Sequence, residues 1–320
     1  MTQSPQRKPL KGAVLLAALF PAVLLLSFSP LAGILITAEV STISSEDAEK
    51  VCVIGEPDLT ESSGVAISRQ HAQSLWIHND SGDTARLFLV GYNGLTKAII
   101  SVRDVKPMDW EDICSFELDG EKWLLIGDVG DNGQVRGKSA PVCKLLLLKE
   151  PKIDLEAEDS PEPDQQVVDV FSATEYSWPG GPENCECLAV DTKRREILLL
   201  TKSNPSICQL CRLPLTLQPG EHVAQAEIVS ALSVPWATAM DVSADGLKLV
   251  AVNMISGVLI ERTESESWSD ACQRPAAVIA LPPRRQGESV CFEPDGLSLL
   301  LNSEGQNQPL WRVQLPKSEP

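Results

Sequence analysis

The sequence predicts an all-β fold, a β-propeller of four-stranded blades preceded by an N-terminal hydrophobic helix. Three observations predict it. One nine-residue motif recurs five times, further apolar segments of strand length follow each copy, and helical periodicity is scarce after residue 38. Four strands in every ~50 residues, with few helices between them, are typical of a propeller.

The first element is the segment at residues 12–38, which contains 27 residues without a charged side chain. A helix needs about 20 apolar residues to cross a bilayer, so this segment is long enough. Arg7, Lys8 and Lys11 precede it. Basic residues in this position predict a cytoplasmic N-terminus and an exported body.

The segment is interpreted as a signal-anchor or as a signal peptide. We favour an anchor in the cytoplasmic membrane, because cleavage after Ala38 would leave Ile36 at the −3 position, where a small residue is usual. Cleavage would instead release a secreted or periplasmic protein. The predicted division is 1–38 for this segment, 39–50 for a polar tether and 51–316 for the propeller domain.

The repeated motif supplies the innermost strand of each blade. Its copies begin 49, 74, 52 and 50 residues apart. Apolar residues occupy the third and fifth positions of every copy, and this alternation predicts a strand. The copies are SGVAISRQH at 63–71, DICSFELDG at 112–120, ECLAVDTKR at 186–194, TAMDVSADG at 238–246 and ESVCFEPDG at 288–296.

Each copy is followed by a turn and by more strands. The predicted second strands are SLWIH, WLLIG, EILLL, KLVAV and SLLLN, and the third strands are ARLFLV, CKLLLL, QLCRL, GVLIE and PLWRV. Fourth strands follow the first four copies, as KAIISV at 97–102, QVVDVF at 166–171, AEIVSA at 226–231 and AAVIAL at 276–281. No segment that could form a fourth strand follows the third strand of the fifth copy. VCVIG at 51–55 can supply its outer strand, which closes the ring and hides both sheet edges.

The repeat count predicts five blades. A sixth would require a degenerate copy inside the 74-residue interval. That interval already contains the acidic, proline-bearing stretch KIDLEAEDSPEPDQQ at 152–166. An insertion is therefore the simpler account of its length.

The charge of the chain limits its partners. After residue 38 it carries 24 basic and 44 acidic side chains, a net charge of −20. Such a surface repels phosphate backbones, so we expect no binding to nucleic acid. It suits cations or polar neutral ligands better, although a solvated acidic face is the commoner meaning of such a charge.

Acidic and amide side chains gather at one end of the predicted blades. The loop that leads into an innermost strand and the loop between the second and third strands open on the same face of a propeller. We call this face the rim, and we expect its side chains to be neighbours around the central channel. They are Glu61, Asn79, Asp80, Asp109, Glu111, Asp112, Asp128, Asp131, Asn132, Glu186, Asp241 and Glu288.

Clustered carboxylate and amide oxygens suit a hard cation, and calcium, with six to eight oxygen ligands, is the predicted cofactor. The alternative is structural use, because Asp and Asn side chains cap turns by bonding nearby backbone amides. Neither HNDSGD at 78–83 nor GDVGDN at 127–132 has the full spacing of an EF-hand loop. The predicted metal ligands are Asp109, Glu111, Asp112, Asp128, Asp131, Asn132, Glu186, Asp241 and Glu288.

A second set of rim residues is predicted to bind a ligand, which is a small molecule, a carbohydrate or a protein. Arg136 would clamp a substrate anion with two hydrogen bonds or else pair with an acid. Trp110 would stack on a sugar or another flat ligand, or else pack beside its strand. The set is Glu61, Asn79, Asp80, Trp110, Arg136 and Lys202.

Two residues are candidates for catalysis, His78 and Glu111. His78 is the one histidine of three that falls on the rim, where it would act as a general base or serve as a hydrogen-bonded structural residue. The chain has no G-x-S-x-G motif, so a hydrolase triad of that kind is unsupported.

The nine cysteines allow three interpretations. Most lie inside apolar strand patterns, where a small buried thiol is ordinary, and this is the interpretation we favour. One or two disulfides are the alternative, since export would permit them. The pairs Cys185-x-Cys187 and Cys208-x-x-Cys211 leave a zinc site as the third.

Several of these stretches, taken in order, resemble a family of exported bacterial β-propeller proteins whose function is not established. The matching stretches run from about 58 to 315 and are ESSGVAIS, LWIHNDSG, DWEDIC, LLIGDVGDN, ENCECLAVD, ILLLTKS, MDVSADG and RRQGESVCFEPDG with LLLNSEG. Cys114 and Cys187 stand where the family usually has small residues, and VNMISG at 252–257 replaces an aromatic-containing stretch. The architecture also looks like calcium-dependent lactonase, paraoxonase-type and phytase propellers, a resemblance that implies metal-binding acids on the same face.

Two functions are consistent with this sequence. The first is a membrane-tethered, extracytoplasmic propeller that binds a ligand or partner at its acidic rim, with a divalent cation and without chemistry. The second is a calcium-dependent hydrolase of an ester, a lactone or a phosphoester. The scarcity of histidine and the lack of a recognisable nucleophile favour binding.

Overall fold

A computed structural model describes residues 42–43, 48–154, 163–202 and 207–316. The hydrophobic helix predicted at 12–38 lies outside the described residues. In the part of the chain that is described, no helix is long and apolar enough to cross a membrane. Residues 39–320 form one compact unit by themselves.

Five β-sheets confirm an all-β propeller with five four-stranded blades. The innermost strands contact one another in chain order, and the last contacts the first, so the ring is closed. Two short strands begin the chain, β1 (Thr42–Ile43) and β2 (Glu49–Val53), and both join sheets formed much later in the sequence. The described part of the predicted tether therefore includes strand residues.

Blade 1 contains the first copy of the motif as its innermost strand. Its four antiparallel strands are β3 (Ser62–Ile67), β4 (Ser74–Asn79), β5 (Arg86–Gly91) and β6 (Thr96–Val102). The inner two are buried along their whole length, because they are covered by the neighbouring blades as well as by their own sheet. All four strands lie where the sequence predicts them.

Blade 2 corrects one predicted strand. Its innermost strands are β7 (Trp110–Leu118), β8 (Glu121–Asp128) and β9 (Cys143–Lys149), as expected. The predicted fourth strand at 166–171 is wrong, because β10 (Asp164–Val168) runs parallel to β6 and widens blade 1 instead. The fourth strand of blade 2 is β11 (Ser172–Ser177), which pairs with β9.

The reason for this error is the polar character of β11. Its inward side chains include Ser172 and Thr174, so it lacks the apolar alternation on which the prediction depended. The predicted strand at 166–171 depended on the apolar pair Val167–Val168, and this pair lies in β10.

Blade 3 is formed by β12 (Cys185–Asp191), β13 (Glu196–Thr201), β14 (Cys208–Pro214) and β16 (Glu227–Leu232). Between the last two, β15 (Gly220–Gln225) turns away and pairs in parallel with β11 of blade 2. The insertion between the second and third copies therefore adds β10 to blade 1 and does not build a sixth blade.

Blade 4 contains β17 (Ala239–Val242), β18 (Lys248–Val252), β19 (Ser256–Glu261) and β20 (Ala277–Ala280). A short helix, α1 (Trp268–Ala271), separates its last two strands. The strand β1 pairs in parallel with β20, so residues just after the hydrophobic segment attach to the outer edge of this blade.

Blade 5 receives its fourth strand from the segment that precedes blade 1. Its own strands are β21 (Ser289–Phe292), β22 (Ser298–Asn302) and β23 (Pro309–Gln314). The fourth is β2, which pairs antiparallel with β23 and places Val53 opposite Pro309. The predicted closure of the ring by the segment at 51–55 is confirmed.

The cysteines are free thiols in all nine positions. Seven are buried, and Cys52 and Cys272 are half-buried. Cys143, Cys185 and Cys211 belong to the apolar core between blades 2 and 3. The favoured interpretation of the cysteines as core residues agrees with this packing.

Candidate functional site

The two rim loops of each blade are neighbours, as the sequence predicts. In every blade a backbone hydrogen bond joins the loop before the innermost strand to the loop after the second strand. The donor and acceptor pairs are Asp80 N to Glu61 O (2.8 Å), Val129 N to Asp109 O (3.1 Å), Lys202 N to Asn184 O (2.8 Å), Thr238 N to Val252 O (2.8 Å) and Glu304 N to Gln286 O (2.9 Å).

Three carboxylates meet on the rim between blades 1 and 2. Asp80, Asp109 and Glu111 each offer an oxygen atom, and these atoms lie within 4.8 Å of one another. We call these three residues the acidic cluster. Gly130 makes room for it, since a Cβ atom there would collide with carboxylate oxygens of Glu111 and Asp109. The sequence places Asp109 and Glu111 in the metal set and Asp80 in the ligand set.

Glu111 is the most buried member of the acidic cluster, with 3% of its surface exposed. The carboxylates of Asp80 and Asp109 lie beside it. Burial raises the pKa of Glu111 well above its usual range, and the carboxylates of Glu186 and Asp80 raise it further. A buried carboxylate surrounded by other carboxylates is costly to ionise, so this position favours a proton or a cation.

Asp80 and Asp109 interact directly. The carboxyl group of Asp109 lies close enough to Asp80 to donate a hydrogen bond to it when Asp109 is protonated. Burial and the nearby charge of Asp80 raise the pKa of Asp109 to about 7. Burial also raises the pKa of Asp80. These two carboxylates repel each other when both are ionised, and a shared proton or a shared cation relieves that repulsion.

A second pair of carboxylates lies on blade 5 and includes a residue that the sequence analysis missed. The carboxyl group of Glu304 lies close enough to Glu288 to donate a hydrogen bond to it when Glu304 is protonated. Burial, followed by Glu288, raises the pKa of Glu304 to about 8. Glu304 could have been selected from the sequence, because it lies in the stretch NSEG. The position of NSEG in blade 5 corresponds to that of HNDSGD in blade 1.

Two cations on the rim are already paired. Lys202 forms an ion pair with Glu186. Burial opposes the charge of Lys202, but Glu186 outweighs that effect and raises the pKa of the lysine. Arg136 is buried, forms an ion pair with Asp128 at 2.5 Å and donates through Nε to the Gly130 carbonyl at 2.9 Å. Two roles were predicted for Arg136, and the structure shows the ion pair with an acid.

Asp128 and Asp131 hold the shape of their loop. Asp128 accepts hydrogen bonds from the backbone of Met108 at 3.0 Å and of Asp109 at 3.2 Å. Asp131 accepts from the backbone of Val135 at 2.8 Å and of Arg136 at 3.0 Å. The structure does not bring either carboxylate into the acidic cluster.

Asn132 and Glu186 are connected through Asn184, which sequence reasoning did not select. The Asn184 Nδ2 group donates to Asn132 Oδ1 at 3.1 Å and to Glu186 Oε1 at 3.2 Å. Its Oδ1 atom accepts from the Asp131 backbone at 2.7 Å. This side chain therefore joins the rim loops of blades 2 and 3.

Asp112 and Asp241 lie inside the ring of innermost strands. Asp112 accepts hydrogen bonds from the backbone of Ile113 at 2.9 Å and of Leu188 at 2.9 Å. Asp241 accepts from the backbone of Val242 and of Phe292, both at 2.8 Å. Burial raises the pKa of Asp112 well above its usual range and that of Asp241 to about 6. Both carboxylates bridge blades through backbone amides.

His78 and Trp110 pack together in the interior. The His78 ring is fully buried, its Nδ1 atom lies 2.9 Å from the Asn79 carbonyl, and burial lowers its pKa to about 4. Trp110 meets it edge-on, with ring centroids 5.6 Å apart, and lies in the core between blades 1 and 2. The structure therefore places both rings below the rim loops.

Asn79 and Glu61 belong to the blade 1 part of the rim. Asn79 Oδ1 accepts hydrogen bonds from the backbone of Thr60 and of Glu61, both at 3.1 Å. The Glu61 side chain is exposed, and its charge raises the pKa of Asp80 and of Glu304. Glu61 therefore adds negative potential to the rim without entering the acidic cluster.

The comparisons with known proteins show similarity of fold alone. No protein-family model and no curated protein matches the chain. A gluconolactonase from Xanthomonas campestris has 10% sequence identity, with 82% of this chain and 89% of that chain covered and a TM-score of 0.47. The PQQ-bound form of an aldose sugar dehydrogenase from Streptomyces coelicolor has 12% identity, with 83% and 97% covered and a TM-score of 0.43.

Proposed function

We propose that the protein is a membrane-tethered, extracytoplasmic propeller that binds a ligand or partner at its rim through a divalent cation held by the acidic cluster. The observation that carries this proposal is the meeting of Asp80, Asp109 and Glu111 within 4.8 Å. Glu111 is buried there beside the other two carboxylates.

The donor set fits a hard cation. All three donors are carboxylate oxygens, which calcium and magnesium prefer, and no thiol or imidazole joins them among the described residues. Calcium fits better than magnesium because it accepts irregular sets of six to eight oxygens. Ligand oxygens and water would complete its shell. Calcium would also replace the proton that Asp80 and Asp109 share.

The rest of the rim favours cation binding electrostatically. Glu186, Glu288 and Glu304 lie close enough to influence one another or the acidic cluster. Lys202 neutralises one of these charges, and Arg136 is occupied by Asp128. The remaining negative charge attracts cations into the mouth of the ring.

The proposal includes a membrane tether because of the composition of the first 38 residues. The uncharged segment at 12–38 and the three basic residues before it support an anchor in the cytoplasmic membrane with the propeller outside. Cleavage after Ala38 would give a secreted or periplasmic form with the same rim. Size analysis of the mature protein from membrane and soluble fractions distinguishes the two forms.

The test is a metal titration of residues 39–320, which contain every described strand. The protein is stripped with a chelator, and its Tm is followed against added calcium, with magnesium and zinc as comparisons. A cation that binds only the folded state at 100 times its Kd adds about 2.7 kcal/mol of stability, so a rise of several degrees is expected.

Two variants locate the cation. Glu111→Gln should abolish the calcium-dependent rise, because it removes the buried carboxylate. Glu117→Gln is the matched control, since Glu117 lies on the same strand but is exposed at the opposite end. A rise that survives in Glu111→Gln, or the lack of any rise in the unaltered chain, would refute the proposal.

The hydrolase alternative requires a group at the rim that accepts a proton from water. His78 is buried below the rim, so Glu111 is the catalytic candidate whose position fits better. Ester, lactone and phosphoester substrates are screened with the calcium-loaded protein. Calcium-dependent turnover would favour a hydrolase, and calcium binding without turnover would favour the binding function.

A further inference from the structure

The rim is not uniform around the ring. Acidic side chains project into it from blades 1, 2, 3 and 5, whereas the corresponding loop of blade 4 carries Thr238. The Thr238 hydroxyl donates to the Gly287 carbonyl at 3.0 Å. Beside it lie one arginine and three exposed apolar residues, Arg284, Trp236, Met254 and Ile255. We call these four residues the blade-4 sector.

Hydrogen bonds link the three loops of the blade-4 sector. Arg284 Nη2 donates to the Asn253 carbonyl at 3.0 Å, and Asn253 Nδ2 donates to the Pro235 carbonyl at 3.0 Å. Asn253 Oδ1 accepts from the Ile255 backbone at 2.9 Å. Asn253 therefore holds the arginine beside the residues that carry the apolar side chains.

Arg284 differs from the other rim cations because it forms no ion pair with any described carboxylate. Its hydrogen bonds go to two backbone carbonyls, those of Asn253 and Asn302, and its Nε atom is buried without a partner. Gly287 leaves room for the guanidinium, since a Cβ there would collide with it. Burial lowers the pKa of Arg284 to about 10, so the group is still charged at neutral pH. Glu288 raises that pKa but forms no ion pair with Arg284, so no salt bridge to a described residue neutralises the guanidinium.

The apolar part of the sector is also exposed. Trp236 is 59% exposed and Ile255 81% exposed. Trp236 adopts a φ of +51°, a left-handed conformation that is uncommon for a residue other than glycine. The loop that carries this exposed indole is linked through Asn253 to Arg284, and such an amphipathic ring is suited to recognition.

We propose that the blade-4 sector binds a small ligand in which a carboxylate or phosphate group is joined to a flat apolar body. Arg284 would hold the anionic group, and Trp236 would cover the apolar body. The inference deepens the proposed function, since the sector opens on the same rim as the acidic cluster. It identifies the bound molecule as an amphipathic anion, although the chain itself is strongly acidic.

The test uses defined probes and residues 39–320. Phenyl phosphate and benzoate carry both features, inorganic phosphate lacks the apolar body, and benzyl alcohol lacks the charge. Binding is measured by calorimetry and by tryptophan fluorescence, in chelator and, for the organic probes, in calcium. The unaltered chain should bind the two organic anions saturably and more tightly than phosphate or benzyl alcohol. Equal or absent binding of the organic anions would overturn the inference without any variant.

Variants then assign the anion to its residue. Arg284→Gln should weaken the binding of phenyl phosphate by about tenfold or more, since it removes a charged hydrogen-bond donor. Arg285→Gln is the matched control, because Arg285 is the exposed neighbour. Trp236→Ala should weaken phenyl phosphate and leave inorganic phosphate unchanged. Equal affinities in Arg284→Gln and Arg285→Gln would refute the assignment.

The two proposals fail separately. A calcium-dependent rise in Tm that persists in Arg284→Gln shows that the variant is folded and that the acidic cluster is intact. If that rise is present and organic anions do not bind, the proposed function stands and the inference fails. If anions bind through Arg284 and no cation raises Tm, the inference stands and the proposed function fails.

Discussion

The carboxylate of Asp112 in blade 2 accepts a hydrogen bond from the backbone N–H of Met240 in blade 4, at 3.3 Å across the central channel. The same oxygen accepts from Leu188 in blade 3 at 2.9 Å. One side chain therefore ties three blades together through their backbones. It stabilises the ring from inside, below the loops where ligands would arrive.

We expect Asp112→Asn to lower the free energy of unfolding by about 1–3 kcal/mol, because an amide nitrogen would face a backbone donor and leave it unsatisfied. Urea unfolding measures this change. Asp119→Asn is the control, since Asp119 forms a surface ion pair with Arg195, and its loss should cost at most about 1 kcal/mol. Equal effects would show that Asp112 is not a structural bridge.

Arg262 forms the most buried ion pair, with Asp191 at 2.6 Å, and its guanidinium lies 3.9 Å from the centre of the Trp268 ring. Arg262→Gln should destabilise the protein by about 3–5 kcal/mol, since it leaves a buried carboxylate unpaired. Arg103→Gln breaks an exposed pair with Asp169 and should cost about 0–1 kcal/mol. Unfolding curves in urea distinguish these values, and similar losses would contradict the prediction.

Stability without divalent cations should fall as the pH rises above about 5. Burial and neighbouring carboxylates raise the pKa of Asp109 to about 7 and of Glu304 to about 8, whereas unfolded carboxyl groups titrate near ~4. Between these values the folded state binds more protons than the unfolded chain, so deprotonation at higher pH favours unfolding.

The measurement is the Tm in chelator across about pH 5.5 to 8. Glu304→Gln should reduce the slope, because it removes a group that titrates in this range, and Glu117→Gln should leave the slope unchanged. Calcium should also flatten it by stabilising the ionised acidic cluster. A Tm that increases with pH in chelator would contradict the prediction.

Thiol titration should give nine free cysteines after denaturation without reductant and far fewer in the native protein. Only Cys52 and Cys272 are less than fully buried, and burial raises the pKa of both thiols, that of Cys272 to about 11. Both should therefore react slowly. Fewer than nine thiols in the denatured protein would indicate disulfides.

The strand pattern was predictable because buried strands repeat a simple alternation. Val65, Leu188 and Val290 mark the innermost strands in sequence as they do in the structure. The outer strand β11 was not predictable, because it is half-buried and polar. Strand order at a sheet edge depends on packing that no local pattern encodes.

The rim was predictable as a place but not in its details. The repeat placed Asp80, Asp109 and Glu111 at one end of the ring, where they meet. The same pattern also included Asp112 and Asp241, whose carboxylates are used by backbone amides of neighbouring blades. The acidic cluster differs from Asp112 and Asp241 in the direction of its side chains. A sequence pattern alone does not determine that direction. Arg284 was missed because it precedes the motif and gains its position from contacts with other loops.

The pairing of β2 with β23 has a consequence for how the protein is made. Pro309 follows its partner Val53 by 256 residues, so the first long strand to be synthesised waits for the last. During this wait β2 and the open side of blade 5 expose unpaired backbone groups that other chains can join. Folding of this chain therefore depends on keeping an unfinished ring apart from other chains until β23 has been synthesised.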